Sequence, residues 1–538
     1  MKEITQVAHT TDPTLVRAAA LNRDAIELMK AGKMAEALAM LQEAIATDPT
    51  NAAYHSNKGA FQAHEKHYAD AVESLLHAAQ LNPNHAPIHE NLAIALSALG
   101  ELDATILACE NVLALQPMNR DLLDALIFYG DYHERSTPAN ALRLRQHYQR
   151  THLDILPRYV SYPNDRDPDR QLRVGYISGD FCNHSAMGTV LPVLEAHTPN
   201  VYTIAYSTTA PDRVQSATST RIKQVVKEWW DIRDMSEDTT AQLIRSHAVD
   251  ILVDLSGFSR DHRLGVFARY PAPVQIHGWG CMVGTTGLAC FQYIFADPHV
   301  VSASARPLFT ESIIELPCVI SFPAPSEDYP LVDAPALTRP YAMFGSFNRL
   351  TKISTATLDL WAAVLVAIPT SRMLIKTTQQ VELPVWERYR GELGDRGVDP
   401  ARIEFQGQTS RAQHLLRMND VDLALDTYPH TGGVTSAEGM WMGVPPLTLV
   451  GETVVSRLSY SFLQQVELAD KFAVLGGMGA MAAYVERARY WSEHVADLNW
   501  QRRRLRQRMR QSIWLDPYRY TMQVEAAYRG AWRRWCSQ

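Results

Sequence analysis

The first quarter of the chain repeats its pattern of apolar and polar positions every 34 residues. Dipeptides that end in proline recur with this period, at Asp48-Pro49, Asn82-Pro83 and Gln116-Pro117. Small residues recur in a second register, at Ala25, Gly59 and Ala93. Small residues let two antiparallel helices approach closely, and a proline ends one helix before the next begins. The pattern therefore predicts stacked helix pairs over residues 1–135.

A repeat of this length indicates a specific architecture. A 34-residue period with small residues at fixed offsets is typical of tetratricopeptide repeats, which stack into a curved α-helical solenoid with a concave groove. An ordinary helical bundle with coincidental prolines is the alternative. The groove is a candidate surface for binding a protein or peptide, although the repeats alone do not establish that use.

After a helical linker over residues 136–170, apolar runs of strand length alternate with helical segments. The first set of predicted strands is LRVGYIS from Leu172, VYTIAYS from Val201, DILVDLSG from Asp250 and APVQIHGWG from Ala272. The second set is YAMFGSF from Tyr341, RMLIKTT from Arg372, RIEFQGQ from Arg402, VDLALDT from Val421 and PPLTLVG from Pro445. Such alternation implies two mostly parallel sheets covered by helices. We expect two Rossmann-like domains, over residues 171–335 and 336–538, that face a ligand-binding cleft; the second includes basic terminal helices.

Composition narrows the class of protein. A net charge of −7 and a pI near 6.3 argue against a general nucleic-acid binder. The six cysteines form no C-x-x-C pair, which argues against a zinc site or a disulfide framework. The N-terminus lacks the apolar core of a signal peptide, and no run reaches the about 20 apolar residues that a membrane helix needs. We therefore predict a cytoplasmic protein without membrane or nucleic-acid partners.

The most informative loop, Thr431 to Ser436, joins a predicted strand that ends at Asp426 to a predicted helix. Gly432 and Gly433 let the backbone pass close to a ligand, because they carry no Cβ. Thr435 is predicted as the N-cap, with Glu438 completing an S/T-x-x-E capping box. The amides at such a helix start form a natural seat for a phosphate or diphosphate. The alternative is that Thr435 and Glu438 only cap the helix.

Cationic and imidazole side chains follow other strands of the predicted cleft. Arg349 and Lys352 come directly after the first strand of the second domain, and Arg411, His414 and Arg417 follow a later one. Together they suit the charge of a nucleoside diphosphate, whereas each of them alone is more often ordinary surface charge. In the first domain, His184 follows the first strand, and a second glycine-rich loop spans residues 284–287. The alternative for His184 is a loop histidine bonded to nearby backbone.

These segments resemble a known enzyme family. The repeats, followed by LRVGYISGDFCNH, GSFNRLTKI and LDTYPHTGGVTSAEGMWMGVPPLTL, are similar in order and kind to the nucleocytoplasmic O-linked N-acetylglucosaminyltransferases. The resemblance covers nearly the whole chain, as in a bacterial homologue. It implies a GT-B catalytic core and an inverting transfer of N-acetylglucosamine from UDP-GlcNAc to serine or threonine hydroxyls of polypeptides. It also implies that no metal or other cofactor is required.

The resemblance also assigns roles to individual residues. His184 matches an active-site histidine once proposed as general base, and Lys352 matches a lysine that stabilises the leaving diphosphate. The remaining matches are nucleotide-sugar contacts, namely Arg349, Thr409, Arg411, His414, Arg417, Gly432, Gly433, Val434, Thr435 and Glu438. Among them, Arg411 and Glu438 fall at ribose contacts, His414 at the base-stacking histidine and Arg417 on the uracil side.

The sequence departs from the family pattern at three places. Val434 replaces one of two threonines that donate to the phosphates, and Arg349 replaces a glutamine. The element W-x-G-Y-P reads Trp279-Gly280-Cys281-Met282-Val283 here. These changes leave other readings open. One is a glycosyltransferase with another donor, GDP-fucose or UDP-glucose, and the other is a tetratricopeptide interaction scaffold whose core binds nucleotide but is inactive.

Overall fold

The computed structural model describes residues 12–279, 284–325, 328–378 and 381–538, and the chain divides into two compact units. The first unit holds the chain up to His133, together with Arg349–Ile353 and the stretch that ends at Glu392. The second unit holds the rest of the chain, including both β-sheets.

The repeat region of the first unit is helical, as predicted. Its helices are α1 (Pro13–Lys30), α2 (Met34–Thr47), α3 (Ala52–His64), α4 (Tyr68–Leu81), α5 (Ala86–Leu99), α6 (Leu102–Leu115) and α7 (Arg120–Gly130). Helices α2, α4 and α6 each end directly before a proline-containing dipeptide of the repeat. The period in the sequence is therefore a period of helix ends.

Two structural demands explain why particular residues recur in the repeats: a turn with positive φ and a close contact between helices. The turn inside each helix pair needs a positive φ, which is 76° at Gly32, 66° at Lys66 and 79° at Gly100. The close approach of α3 and α4 excludes a side chain at Gly59, where a Cβ would lie 2.6 Å from Leu75 Cγ. Glycine meets both demands, because it has no Cβ and adopts positive φ freely.

A later part of the chain packs on these repeats within the same unit. Arg388 donates to the Leu99 carbonyl at 2.9 Å and pairs with Glu101 at 2.5 Å. Leu350, on the turn Leu350–Lys352, lies against the Gly100 turn, where a Cβ on Gly100 would be 3.1 Å from Leu350 Cβ. The segment that carries Arg349 and Lys352 is therefore supported by repeat helix α5.

The first sheet of the second unit has seven parallel strands in the order β3-β2-β1-β4-β5-β6-β7. They are β1 (Leu172–Ser178), β2 (Val201–Ser207), β3 (Glu228–Asp231), β4 (Ile251–Asp254), β5 (Val274–His277), β6 (Tyr293–Ala296) and β7 (Ser312–Glu315). The accompanying helices are α8 (Pro138–Tyr148), α9 (Ser185–Ala196), α10 (Ala217–Val225), α11 (Glu237–Ser246) and α12 (Leu264–Ala268). The strand order reverses between β1 and β4, so the loop after β1 lies at a topological switch point.

The second sheet has six parallel strands in the order β10-β9-β8-β11-β12-β13. They are β8 (Met343–Ser346), β9 (Arg372–Lys376), β10 (Ile403–Gln406), β11 (Leu423–Leu425), β12 (Pro446–Val450) and β13 (Ala473–Leu475). Its helices are α13 (Thr355–Ala367), α14 (Leu383–Asp395), α15 (Arg411–Met418), α16 (Val434–Trp441), α17 (Leu458–Gln465), α18 (Ala469–Phe472), α19 (Ala480–Glu493), α20 (Val495–Gln511) and α21 (Pro517–Cys536). The switch point lies between β8 and β11, where such sheets bind ligands.

The prediction of two α/β domains after a helical solenoid is confirmed, while the predicted strand list is incomplete. It lacks β3, β6, β7 and β13. Of these, β3, β7 and β13 lie at sheet edges, where half-exposed strands need no continuous apolar run.

The last helix leaves the second sheet and packs on the first. Glu525 of α21 accepts from His197 Nδ1 at 2.9 Å and from the Thr198 amide at 2.7 Å. The hydroxyls of Tyr528 and Tyr176 are 3.1 Å apart, and both side chains are fully buried. The C-terminal helix therefore packs on the first sheet domain, and both sheets belong to one compact unit. None of the described helices is both long and apolar enough to span a membrane.

Candidate functional site

The glycine-rich loop after β11 starts α16 two residues earlier than predicted. Gly433 is the N-cap, and Val434 is the first helical residue. The predicted capping box of Thr435 and Glu438 is therefore wrong, since the N-cap of α16 makes no side-chain hydrogen bond. The physical reason is that Gly433 adopts φ −102° and ψ −110°, a backbone shape suited to glycine that starts the helix before Thr435.

Asp426 and the glycines fix the shape of this loop. Asp426 Oδ1 accepts from the amides of Thr427 at 3.0 Å and Gly432 at 2.8 Å. A Cβ on Gly432 would overlap Ser436 Oγ, so this close approach requires glycine. The backbone thus reaches the helix start without a side chain in the way.

The start of α16 can hold an anion. The first intrahelical bond from the N-cap runs from the Ala437 amide to the Gly433 carbonyl at 3.2 Å, so the amides of Val434, Thr435 and Ser436 precede it. Such amides and the helix dipole favour negative charge. A small pocket adjoins the start of α16. Its lining includes polar residues, among them Asn348, Asp426, Thr435 and Ser436, and apolar ones such as Phe347, Met418, Leu425 and Val444.

Glu438, Arg411 and His414 form a cluster beside this helix start. Glu438 is buried, and one of its oxygens lies 2.7 Å from Arg411 NH1 while the other lies 4.0 Å from His414 Nε2. Burial raises the pKa of Glu438, against the lowering effect of Arg411. Burial, with the charges of Lys376 and Arg411, lowers the pKa of His414 to about 4. The imidazole is therefore neutral at pH 7. Its ring packs edge-on against the Phe347 ring, with the two ring centroids 5.6 Å apart.

Arg417 does not join this cluster in the described structure. Its guanidinium pairs with Glu404, lies 2.6 Å from Asp420 Oδ2 and donates to Gln406 Oε1 at 3.1 Å. Two carboxylates, one on β10 and one in the turn after α15, therefore account for its charge. The i, i+6 spacing that grouped it with Arg411 in the sequence places it farther along α15.

Sequence reasoning missed Lys376, which ends β9 beside the loop before α15. Its ammonium donates to the Gly407 carbonyl at 3.0 Å, and the residue is fully buried. Burial, together with the charge of Arg417, lowers the pKa of Lys376. The signal is present in the sequence, since a lysine at the carboxyl end of an apolar strand lies at the ligand-binding edge of a parallel sheet.

Arg349 and Lys352 lie on the turn that follows β8. Arg349 precedes the short helical turn Leu350–Lys352, and the Lys352 amide donates to the Arg349 carbonyl at 3.0 Å. This turn belongs to the first compact unit, with the repeats. The predicted position of Lys352 directly after the first strand of the second sheet is therefore observed.

His184 lies in the loop after β1 and is the N-cap of α9. Its Nδ1 is 3.4 Å from the Ala186 amide and 3.6 Å from Asp180 Oδ2. Asp180 is held in turn by Arg213 at 2.8 Å. If Nδ1 accepts from the Ala186 amide, the ring proton is on Nε2. If Nδ1 instead donates toward Asp180, Nε2 carries the lone pair. Asp180 and Arg213 are not among the predicted residues.

The second glycine-rich loop donates hydrogen bonds to a carboxylate of the protein. Thr285 Oγ1 and the Thr286 amide each donate to the Glu311 carboxylate at 2.7 Å, and Thr286 Oγ1 donates to it as well. The buried Glu311 carboxylate therefore already accepts the hydrogen bonds that these threonines donate. Trp279 donates to the Tyr520 hydroxyl at 2.9 Å. The other residues of the divergent element, 280–283, lie outside the described residues.

Comparison with known proteins agrees with the fold and site described above. The sequence profile of Glycosyl transferase family 41 matches residues 151–319 and 336–524. A probable UDP-N-acetylglucosamine--peptide N-acetylglucosaminyltransferase SPINDLY of Solanum lycopersicum is 30% identical over 430 residues, 79% of this chain and 45% of its own length. The corresponding protein of Petunia hybrida is 32% identical over 390 residues, 71% of this chain and 41% of its own length. The chain therefore spans less than half the length of these relatives.

A solved structure matches along the whole chain. A mutant of the O-GlcNAc transferase of Thermobaculum terrenum superposes with a TM-score of 0.85 at 29% sequence identity. The match covers 98% of this chain and 99% of that one. The repeats and both sheet domains are thus shared with that protein.

Proposed function

Because the chain belongs to Glycosyl transferase family 41, we propose that it transfers N-acetylglucosamine from UDP-GlcNAc to serine or threonine hydroxyls of polypeptides. We propose that the transfer inverts the anomeric centre and needs no metal ion. The observation that carries the proposal is the full-length structural match to a bacterial O-GlcNAc transferase. The relatives named above also carry UDP-GlcNAc and a peptide acceptor in their names.

The donor side of the proposed reaction uses the start of α16. The amides of Val434, Thr435 and Ser436 can donate to the diphosphate, and backbone donation does not need the hydroxyl that Val434 lacks. Arg411 and Glu438 would contact the ribose, with the neutral ring of His414 against the base. As the acceptor oxygen attacks the anomeric carbon, the bond from that carbon to the diphosphate breaks and its electron pair leaves with UDP. Lys352 would neutralise the charge that develops there.

The acceptor side uses the loop after β1. For His184 to take the proton of the acceptor hydroxyl, Nε2 must carry the lone pair. Nδ1 must then release the Ala186 amide, from which it accepts at 3.4 Å, and donate to Asp180, whose Oδ2 lies 3.6 Å away. Arg213 holds Asp180 in place for this role. A polypeptide acceptor would also engage the concave surface of the repeats.

The Asp-x-Asp sequence of the second sheet domain makes hydrogen bonds within the protein, which supports a reaction without a metal ion. In Asp420-Val421-Asp422, the Asp422 carboxylate accepts from the amides of Ala336 at 2.9 Å and Met343 at 2.8 Å. The Asp420 carboxylate accepts from Arg417 at 2.6 Å. Backbone amides and cationic side chains would therefore carry the diphosphate charge that Mg²⁺ carries in other nucleotide sites.

Turnover with a panel of donors tests the proposal. The protein is incubated with a serine- and threonine-rich peptide library and UDP-GlcNAc, UDP-glucose or GDP-fucose, and the peptides are analysed by mass spectrometry. We expect a mass increase of one N-acetylhexosamine with UDP-GlcNAc, undiminished by EDTA, and a β-linked product by NMR. Transfer from GDP-fucose alone would replace the donor in the proposal. Binding without transfer from any donor would favour an inactive scaffold.

A further inference from the structure

Three buried polar groups near the candidate nucleotide site lack the partners that buried groups normally have. Thr409 Oγ1 and His414 Nδ1 have no hydrogen-bond partner within the described residues. The Lys376 ammonium, with three protons to donate, has the Gly407 carbonyl as its one hydrogen-bond acceptor among those residues. Buried polar groups in native proteins are nearly always satisfied, so each exception calls for an explanation.

The three groups belong to one location in the fold. Lys376 ends β9, which pairs with β10 so that Lys376 lies opposite Gln406. Gly407 and Thr409 belong to the loop that follows β10, and His414 lies one turn into α15. The proximity of Lys376 to His414 is also expressed in the lowered pKa of that imidazole.

The charge of Lys376 is the most unusual feature of this location. The residue is fully buried, and no carboxylate within 4.0 Å pairs with its ammonium in the part of the chain that the structure describes. Arg417, whose charge acts on Lys376, is itself paired with the carboxylates of Glu404 and Asp420. Keeping an unpaired ammonium buried costs free energy, so such a group is a candidate for a functional site.

We propose that Lys376 reads the nucleobase of the donor and selects a base with a carbonyl oxygen at the position where cytosine or adenine has an amino group, namely C4 of uracil or C6 of guanine. The inference rests on the proposed function, because it takes the Arg411–Glu438 pair as the ribose end of the site. An ammonium can only donate, so an amino group of cytosine or adenine at the same position would leave two donors facing each other. Thr409 can donate or accept, and Lys376 therefore carries the discrimination.

The burial of Lys376 defines how a base reaches it. The Gly407 carbonyl covers the ammonium at 3.0 Å, in a loop that ends at the N-cap residue Ser410 of α15. A carbonyl oxygen of the base can take the place of this backbone carbonyl, or add to it, with a local shift of the loop. The base ring would then lie against His414, whose ring is neutral at pH 7 because its pKa is lowered to about 4.

Calorimetric titration with UDP, GDP, CDP and ADP tests the inference on the full chain. We expect at least tenfold tighter binding of UDP than CDP, or of GDP than ADP, and the tighter of UDP and GDP identifies the base. Equal affinities within both pairs would overturn the selection by Lys376 while leaving the site a nucleotide site. No binding of any diphosphate would overturn the proposed function itself.

Two variants separate recognition from support of the loop. In Lys376→Met, the affinity for UDP or GDP should fall at least tenfold, while that for CDP or ADP changes less than threefold. A purely structural role would weaken all four nucleotides equally and keep their ratios, which would contradict the inference. Lys376→Gln can donate or accept through its amide, so it should bring CDP within threefold of UDP. Lys376→Gln also tests the inference if Lys376→Met fails to fold. Lys227→Met, at an exposed lysine of the first sheet domain, is the matched control.

Discussion

Lys352 is the residue on which the proposed chemistry depends most directly. Its turn is supported by α5 and does not need the lysine side chain for its backbone hydrogen bonds, such as the one from the Lys352 amide to Arg349. We expect Lys352→Ala to lower kcat at least a hundredfold while the protein still folds, because the charge on the leaving diphosphate is then uncompensated. Turnover and circular dichroism measure the two effects. Lys227→Ala is the control, and full activity of Lys352→Ala would contradict the proposed mechanism.

His414 links the site to the pH dependence of stability. Its pKa is lowered to about 4 by burial and by nearby cations, while an unfolded histidine titrates near 6.5. The unfolded state therefore binds the proton first as pH falls below 6.5, and stability decreases until the pH nears 4. From pH 7 to pH 4.5 this one group should remove about 2–3 kcal/mol of stability.

The His414 contribution can be isolated by comparison with a variant. Denaturant unfolding at pH 7 and pH 4.5 gives the loss for the natural protein and for His414→Gln, which cannot take up the proton. We expect the loss to be smaller in His414→Gln by about 2–3 kcal/mol. Identical losses in the two proteins would show that the imidazole titrates alike in the folded and unfolded states.

At the scale of the element, the repeat helices test the close-packing argument. A Cβ on Gly59 would meet Leu75 Cγ at 2.6 Å and the Ala71 carbonyl at 3.0 Å, whereas a Cβ on Gly130 would meet no atom within 4 Å. We expect Gly59→Ala to destabilise the repeats by about 1–3 kcal/mol through overpacking. Gly130→Ala should be neutral or stabilise by up to about 1 kcal/mol, because alanine is the better helix former.

Hydrogen exchange can show which helices are affected by Gly59→Ala and by Gly130→Ala. Mass spectrometry of the exchanged protein should show faster exchange in α3 and α4 of Gly59→Ala and unchanged exchange in both sheets. An equal response to the two substitutions would mean that α3 and α4 are not as close as 2.6 Å implies.

The elements that the sequence predicted are those with a strong internal pattern. The 34-residue period predicted the solenoid because each helix end is a proline or a positive-φ turn that recurs. The buried strands β1, β2, β8, β9 and β12 are apolar enough to be recognised in isolation. Strand β3, with Glu228 and Asp231 at its ends, and the three-residue β13 depend on their neighbours in the sheet and carry no such pattern.

The candidate site shows the same division between local and tertiary information. The loop after β11 was predicted from its glycines, but the N-cap was misplaced because Gly433 can adopt backbone angles that a capping motif does not anticipate. The predicted grouping of Arg411, His414 and Glu438 is observed. Arg417 is diverted by Glu404 and Asp420, contacts that depend on how β10 and α15 pack.

At the scale of the whole molecule, we expect α21 to couple the unfolding of the two sheets. It follows the second sheet in the chain and buries Tyr528 and Trp532, while its Glu525 accepts hydrogen bonds from His197 and Thr198 of the first sheet domain. A terminal helix that crosses between two domains makes the stability of each depend on the other. We therefore expect both sheets to lose protection together when this contact is weakened.

Truncation of one buried side chain tests this coupling. Tyr528 is fully buried, with its hydroxyl 3.1 Å from that of Tyr176 of β1, so Tyr528→Ala leaves a cavity and removes a buried hydrogen bond. We expect a loss of about 3–5 kcal/mol of stability, as for other large aromatic truncations. Hydrogen exchange should rise in both β1 and β12, although the hydroxyl contact of Tyr528 is with the first of these strands. Tyr518→Ala, at an exposed tyrosine of the same helix, is the matched control and should leave both sheets protected. Faster exchange in β1 alone would show that the second sheet is stable without the crossing helix, and the two domains would then unfold independently.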